Sequence, residues 1–278
     1  MALGFIIQVV YNKRVIIDAH THISYIRKKK SFLKIKGELL LNMKKNRIAY
    51  SVVIPDNLPN TNCADLDNLI NLVKKEPRLY AIGTLKINLV DKKNISKINK
   101  LFKDKTTKGF KIFPGHDPVY PTDSRWFPIY RLCIKHNLPL VIHTGINVNN
   151  KSCAKYNDPK YIVKVAKKFP KLKIIISHYF WPKLDYCFNA TNGFNNIYFD
   201  TSALADSDVI KASGGIKKIK DILTKTVKRN PGSVLFGTDW PICNVKKHID
   251  LVNSLAVSKE EKEKVFYKNS LEIFGLKS

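Results

Sequence analysis

The chain has no CxxC pair. Its five cysteines, Cys63, Cys133, Cys153, Cys187 and Cys243, are scattered and odd in number. That pattern argues against a disulfide framework or a cysteine-rich zinc site and fits a reducing compartment. Long hydrophobic runs are also missing: no stretch approaches the roughly 20 apolar residues of a membrane span. The apolar opening, Met1 to Val10, is short, and its cations Lys13 and Arg14 follow it rather than precede it, the reverse of a signal peptide. A soluble, cytoplasmic protein is expected. No linker rich in Gly, Pro or Ser divides the 278 residues, and no repeat with a period of roughly 20–50 residues recurs. One domain over residues 15–278 is therefore expected, with residues 1–14 read as an extension or as an extra strand covering the bottom of the fold.

Acidic residues and arginine are scarce. Asp and Glu number 22 against 49 Lys and Arg, a formal charge of +27, and only seven of the 49 cations are arginine. A basic surface attracts phosphate at long range. Base-edge and bidentate phosphate recognition, however, favour the arginine fork. The excess of Lys, together with abundant Asn and Ile, fits codon bias, so nucleic acid is not the expected partner.

Short apolar runs alternate with longer segments of helical period, and the alternation recurs eight times, which argues for parallel βαβ units. The strands read as Val15–Ile17, Ala49–Ile54, Leu79–Leu85, Gly109–Phe113, Leu138–Ile142, Lys173–Ser177, Asn196–Asp200 and Ser233–Gly237. Between them, Leu66–Lys74 and Trp126–His136 carry apolar stripes at helical spacing. Pro77, Pro139 and Pro170 stand where helices must stop before the next strand. Eight such units predict a single-domain (β/α)8 TIM barrel.

In such a barrel, chemistry sits at the carboxyl ends of the strands. The first apolar run leads into Asp18-Ala19-His20-Thr21-His22. Alternate residues of a strand share a face, so His20 and His22 can hold one metal ion. Lys111 lies on the fourth strand, His143 follows the fifth, His178 the sixth and Asp239 the eighth. Three other histidines fall outside this pattern. His136 reads as a helix-end residue, His248 as a solvated helical one, and His116 as a loop residue within reach of the mouth. A helix N-cap is the structural alternative for Asp239. The cationic run from Arg27 to Lys34 and the residues Tyr120, Arg125, Trp126, Trp181 and Trp240 are further candidates for the rim of the site.

Five segments in this order resemble the amidohydrolase superfamily, in particular the amidohydrolase-related branch that includes aminocarboxymuconate semialdehyde decarboxylase. They are Asp18-Ala19-His20-Thr21-His22, Gly109-Phe110-Lys111-Ile112-Phe113-Pro114, the run from Leu138 to Gly145, Ile176-Ser177-His178, and the run from Phe236 to Pro241. The resemblance spans nearly the whole chain. It implies that His20, His22, His143 and Asp239 bind a divalent metal, typically zinc with manganese or iron as alternatives, and that His178 orients the reactive water, acts as acid and base, or joins the ligands. It leaves open a carboxylated Lys111 bridging a second ion, although one ion is expected. The activity implied is hydrolysis of a small amide, ester or lactone by a metal-bound hydroxide. The alternatives are nonoxidative decarboxylation of an aromatic or unsaturated acid, and a TatD-like metal-dependent deoxyribonuclease. TatD-like enzymes carry a glutamate where Lys111 stands. A non-catalytic metal-binding barrel is the reading from outside enzymology. The expected partner is a small molecule, anionic ones included, and a homodimer is the common assembly for such enzymes.

Overall fold

The computed structural model describes residues 15–58, 61–146 and 151–276. Eight parallel strands, each paired with the next in sequence order, form one sheet. They are β1 (Ile17–Thr21), β2 (Tyr50–Val53), β3 (Leu79–Thr84), β4 (Thr107–Ile112), β5 (Leu140–Ile142), β6 (Ile174–Ile176), β7 (Ile197–Asp200) and β8 (Val234–Leu235). Hydrogen bonds close the seam between the two ends of the sheet. Ala19 N donates to Phe236 O at 2.8 Å, Asp239 N to His20 O at 2.8 Å and His22 N to Trp240 O at 2.7 Å. The result is the expected (β/α)8 barrel, with helices between the strands.

All eight strands lie where the sequence places them, with two informative differences. The first strand runs on through Thr21 instead of stopping at Ile17, because its backbone finds partners in β2 on one side and in the segment 236–240 on the other. His20 is therefore held inside the strand. The eighth ladder is only two residues long against the expected Ser233–Gly237, because the next two amides leave it: Phe236 N donates to Val265 O at 2.8 Å and Gly237 N to Thr201 Oγ1 at 3.0 Å.

Alternation along the strands divides the core into two layers. Ile17, Ala19, Val52, Ile54, Ile82, Val141, Ile175 and Leu235 point into the barrel, where Ile273, Phe274 and Leu276 from the end of the chain join them. Their neighbours in sequence, such as Val53, Ala81, Leu140, Ile142, Ile174 and Ile176, face the helices. Residues 1–14, for which an extra strand is one expectation, lie outside the described residues.

The helices start where short polar side chains satisfy free backbone donors. Asp65, Asp91, Asp158, Asp206, Asn244 and Ser258 all accept from a first-turn N–H. The two expected helices appear as Leu66–Val73 and Phe127–Lys135, the latter ending at His136. His248 is a correction. The sequence suggests a solvated residue, but it is fully buried on Val245–Asn253, with Nδ1 2.9 Å from Asn244 O and Nε2 accepting from Ala205 N at 3.3 Å. An imidazole with both nitrogens satisfied by backbone can sit on a buried helix face at little cost. No helix among the described residues is long and apolar enough to cross a membrane.

Candidate active site

A cavity of about 240 Å³ opens at the carboxyl ends of the strands, lined by His20, His22, Ser24, Asp56, Cys63, Lys111, Phe113, His116, His143, His178, Asp239 and Ile242. A larger open hollow of about 530 Å³ lies beside the residues that precede β6 and β7, at the other end of the barrel, and presents lysines, asparagines and two aromatic residues without a carboxylate or imidazole. Of the two, the smaller one holds the imidazoles and carboxylates.

Strand alternation delivers most of them. His143 stands two residues past inward-facing Val141, Asp239 four past Leu235, and Lys111 two before Phe113. A register shift between Asp18 and Thr21 re-aims the end of β1, so that His20 and His22 both reach the cavity. Around them the chain holds unusual backbone. His178, Tyr179 and Phe180 have φ values of 60°, 52° and 57°, and Asp239 has 66°. Left-handed backbone costs non-glycine residues roughly 1–2 kcal/mol each. Asp239 is thus no helix N-cap; that place belongs to Asn244.

The 178–180 turn is clamped from three sides. His178 N donates to Asp200 Oδ1 at 2.9 Å, Phe180 N donates to Thr144 Oγ1 at 3.0 Å, and the Thr144 hydroxyl donates to Ser177 O. Gly145, at φ 89°, lets this turn approach: a Cβ there would lie 2.8 Å from Trp181 O. Thr144→Val would keep the shape and strip both hydrogen bonds from a fully buried position. We expect it to lower unfolding stability by about 2–4 kcal/mol, measured by urea titration, because two buried backbone groups lose their partner.

Three lone pairs converge on one point of the cavity. His22 donates from Nδ1 to Ile54 O at 2.8 Å, which leaves Nε2 facing Asp239 Oδ1 at 3.2 Å. His20 Nδ1 bonds Asp200 Oδ2 at 2.7 Å, and its Nε2, 3.6 Å from the same Asp239 oxygen, is buried without a hydrogen-bond partner. Burial alone would lower the His22 imidazole, but its bond to Asp239, reinforced by Cys63, lifts it to about 10. A proton therefore bridges His22 and Asp239 in the ion-free protein. Burial would likewise raise Asp239, yet the surrounding imidazoles of His178, His22 and His20 hold it well below the usual carboxylate range. The group His20, His22 and Asp239 has its ligand atoms within 4.8 Å of one another. Two imidazoles and a carboxylate form a donor set that suits zinc, manganese or iron.

The remaining expected residues line the same cavity without joining that group. His143 Nε2 is buried and unbonded, and burial, with the Lys111 ammonium nearby, holds this imidazole well below its usual range. The His143 ring lies 5.1 Å from that of His178 and 5.1 Å from that of His116. His178 is pushed down to about 4 by burial, against the pull of Asp239, and is a neutral imidazole at pH 7. Lys111 is fully buried, donates to Ser177 Oγ at 2.8 Å and sits 5.2 Å above the Phe113 ring. Burial draws it down to about 8. His116, read as a loop residue, stacks on Phe113 and lines the cavity.

The rim candidates do not line the cavity. Trp126 is buried against Phe110, Arg125 is paired with Asp123, Tyr120 packs with Tyr156 and Tyr161, and Lys30 pairs with Glu38 on the surface. One residue the sequence reading missed is central. Asp200, the last residue of β7, lies 1% exposed under the histidines and bonds His20, the His178 amide and Ser202. Its signal is present in the sequence: it closes a predicted strand with inward parity, two residues past Tyr198.

Comparisons with known proteins bear on the family and the fold. The amidohydrolase family profile matches residues 17–276. No curated protein sequence matches. Among solved structures, a TIM-barrel protein of undetermined function from Bordetella bronchiseptica superposes with a TM-score of 0.74 at 18% identity, over 94% of this chain and 99% of that one. A probable 2-pyrone-4,6-dicarboxylic acid hydrolase from Acinetobacter baumannii, with citric acid bound, gives 0.65 at 14% identity over 94% and 98%. A 5-carboxyvanillate decarboxylase from Novosphingobium aromaticivorans, in complex with manganese and a nitrobenzoic acid, gives 0.65 at 15% over 96% and 97%.

Proposed function

From the premise that this chain belongs to the amidohydrolase family, we propose that it is a divalent-metal-dependent hydrolase of a small amide, ester or lactone, with His20, His22 and Asp239 as the core of the ion site and His143 beside them. The observation that carries this reading is the convergence of His20 Nε2, His22 Nε2 and Asp239 Oδ1 with no donor but a single proton between them. Three acceptors meeting in a buried site call for a cation. Zinc is the first choice, with manganese or iron open. A divalent ion there supplies Lewis acidity, polarising a substrate carbonyl and acidifying water.

The chain's own groups favour hydrolysis. At neutral pH Asp239 is an ionised base and His178 a neutral one, both facing the cavity. Asp239 accepts the proton of an attacking water, and His178 Nε2 orients that water or the substrate. Lys111 is the one lysine or arginine lining the cavity among the described residues, and its ammonium can meet a carboxylate or a developing oxyanion. Decarboxylation remains the second reading, favoured by the same buried ammonium and by the decarboxylase neighbours. It needs a donor that protonates carbon, and Lys111 is the group available. A second ion bridged by carboxylated Lys111 is not part of this reading.

Zinc- or manganese-loaded protein incubated with a panel of esters, amides, lactones and aromatic acids in oxygen-18 water tests the proposal. Hydrolysis predicts one labelled oxygen in the product acid and no carbon dioxide. Carbon dioxide release with no oxygen-18 in the organic product would move the assignment to the lyase.

A further inference from the structure

The hydrogen bonds beneath the histidines have a direction that can be read from donor counting. Asp200 Oδ1 accepts the His178 amide at 2.9 Å and the Ser202 amide at 3.2 Å. An oxygen facing two N–H donors is an acceptor, so the Ser202 hydroxyl that also contacts it gives its single proton to Asp200. Ser202 Oγ is left with lone pairs only. It lies 2.8 Å from His178 Nδ1 and 3.2 Å from His20 Nδ1, and His20 Nδ1 lies 2.7 Å from the other Asp200 oxygen. Both imidazoles therefore carry hydrogen at Nδ1. All four residues are at most 5% exposed, which leaves water little access to compete.

We propose that Asp200 and Ser202 are positioning residues that fix His20 and His178 in the Nδ1–H tautomer, so that both present an unprotonated Nε2 to the cavity. One carboxylate thereby sets two functions: His20 Nε2 is a ligand lone pair, and His178 Nε2 is a hydrogen-bond acceptor and base. Among the described residues, Ser202 is the link from the carboxylate to the His178 ring. Asp200 itself holds that residue's backbone amide, which ties the ring's tautomer and the strained turn to the same anchor. The second triad of potential ligands, His20, His178 and Asp200, is on this account a support for the site, because the Asp200 oxygens are taken up by His20 Nδ1, Ser202 and the His178 amide. The inference takes from the proposed function only the use of the two Nε2 atoms; the tautomers rest on the hydrogen bonds.

Long-range proton–nitrogen correlation spectra of full-length protein labelled with nitrogen-15 histidine test it, first ion-free and then with zinc added. Ring signals are assigned by their loss in His20→Gln and His178→Gln. The wild type is expected to show Nδ1 protonated and Nε2 unprotonated for both residues. Ser202→Ala should remove the single tautomer of His178 while leaving that of His20, and Ser202→Thr, which keeps the hydroxyl, should restore it. A thermal melt checks that each variant is folded. A proton on Nε2 of His178 in the wild type overturns the proposal even if Ser202→Ala does not fold. So does an unchanged His178 pattern in folded Ser202→Ala. Tautomers as stated, with no zinc-induced change at His20 Nε2, would support this inference while removing the ion site from the proposed function.

Discussion

Protein carrying His20→Ala or Asp239→Asn is expected to lose its tightly held divalent ion, with affinity down by well over the roughly 10–100-fold typical of an outer partner, and to lose turnover with it. His20→Ala removes one of the three groups that meet in the cavity, and Asp239→Asn replaces the carboxylate by a neutral amide, which takes away both the negative charge and the base. Elemental analysis of protein purified without chelator, side by side with wild type, gives the answer: about one equivalent falling to a small fraction. Asp200→Ala is expected to act more weakly on the ion. It leaves the ligand atoms in place and removes only what holds them.

The second large effect concerns pH. In the ion-free protein His22 carries a proton up to about pH 10, shared with Asp239. A cation must displace that proton before His22 Nε2 can bind it. The sign follows directly: low pH opposes loading and high pH favours it. Apparent affinity is expected to rise about tenfold per pH unit between roughly pH 6 and 9, the slope of one proton released per ion. Lys111, drawn down to about 8 and buried in the same cavity, adds to the slope above pH 7 as its repelling charge is lost. Calorimetry in two buffers of different ionisation enthalpy counts the protons. A pH-independent affinity would contradict the proton shared by His22 and Asp239 in the ion-free protein.

How much of this was legible in the sequence differs by level. The barrel was, because each strand is a short apolar run bounded by Pro, Gly or polar residues, and eight such runs admit one closed arrangement. The candidate histidines and Asp239 were, because each stands at or shortly after the end of an apolar run. Asp200 was not noticed, although it ends a strand, because the polar residues sought were those just beyond strand ends. Its partner Ser202 looks like any loop serine until the turn at 178–180 brings an imidazole to it. His248 misled for the opposite reason: spacing on a helix shows which face a residue occupies, but not that backbone groups from a neighbouring loop will satisfy both ring nitrogens. The rim candidates were placed by proximity in sequence to strand ends, whereas local pairs such as Arg125 with Asp123 hold them elsewhere.

The most direct measurement is anomalous diffraction from crystals of the protein loaded with zinc or manganese and recorded at that metal's absorption edge. A single strong peak is predicted about 2.0–2.2 Å from His20 Nε2, His22 Nε2 and an Asp239 carboxylate oxygen. A loaded protein whose only peaks lie at surface carboxylates or cysteines, with the His22–Asp239 hydrogen bond intact, would contradict it.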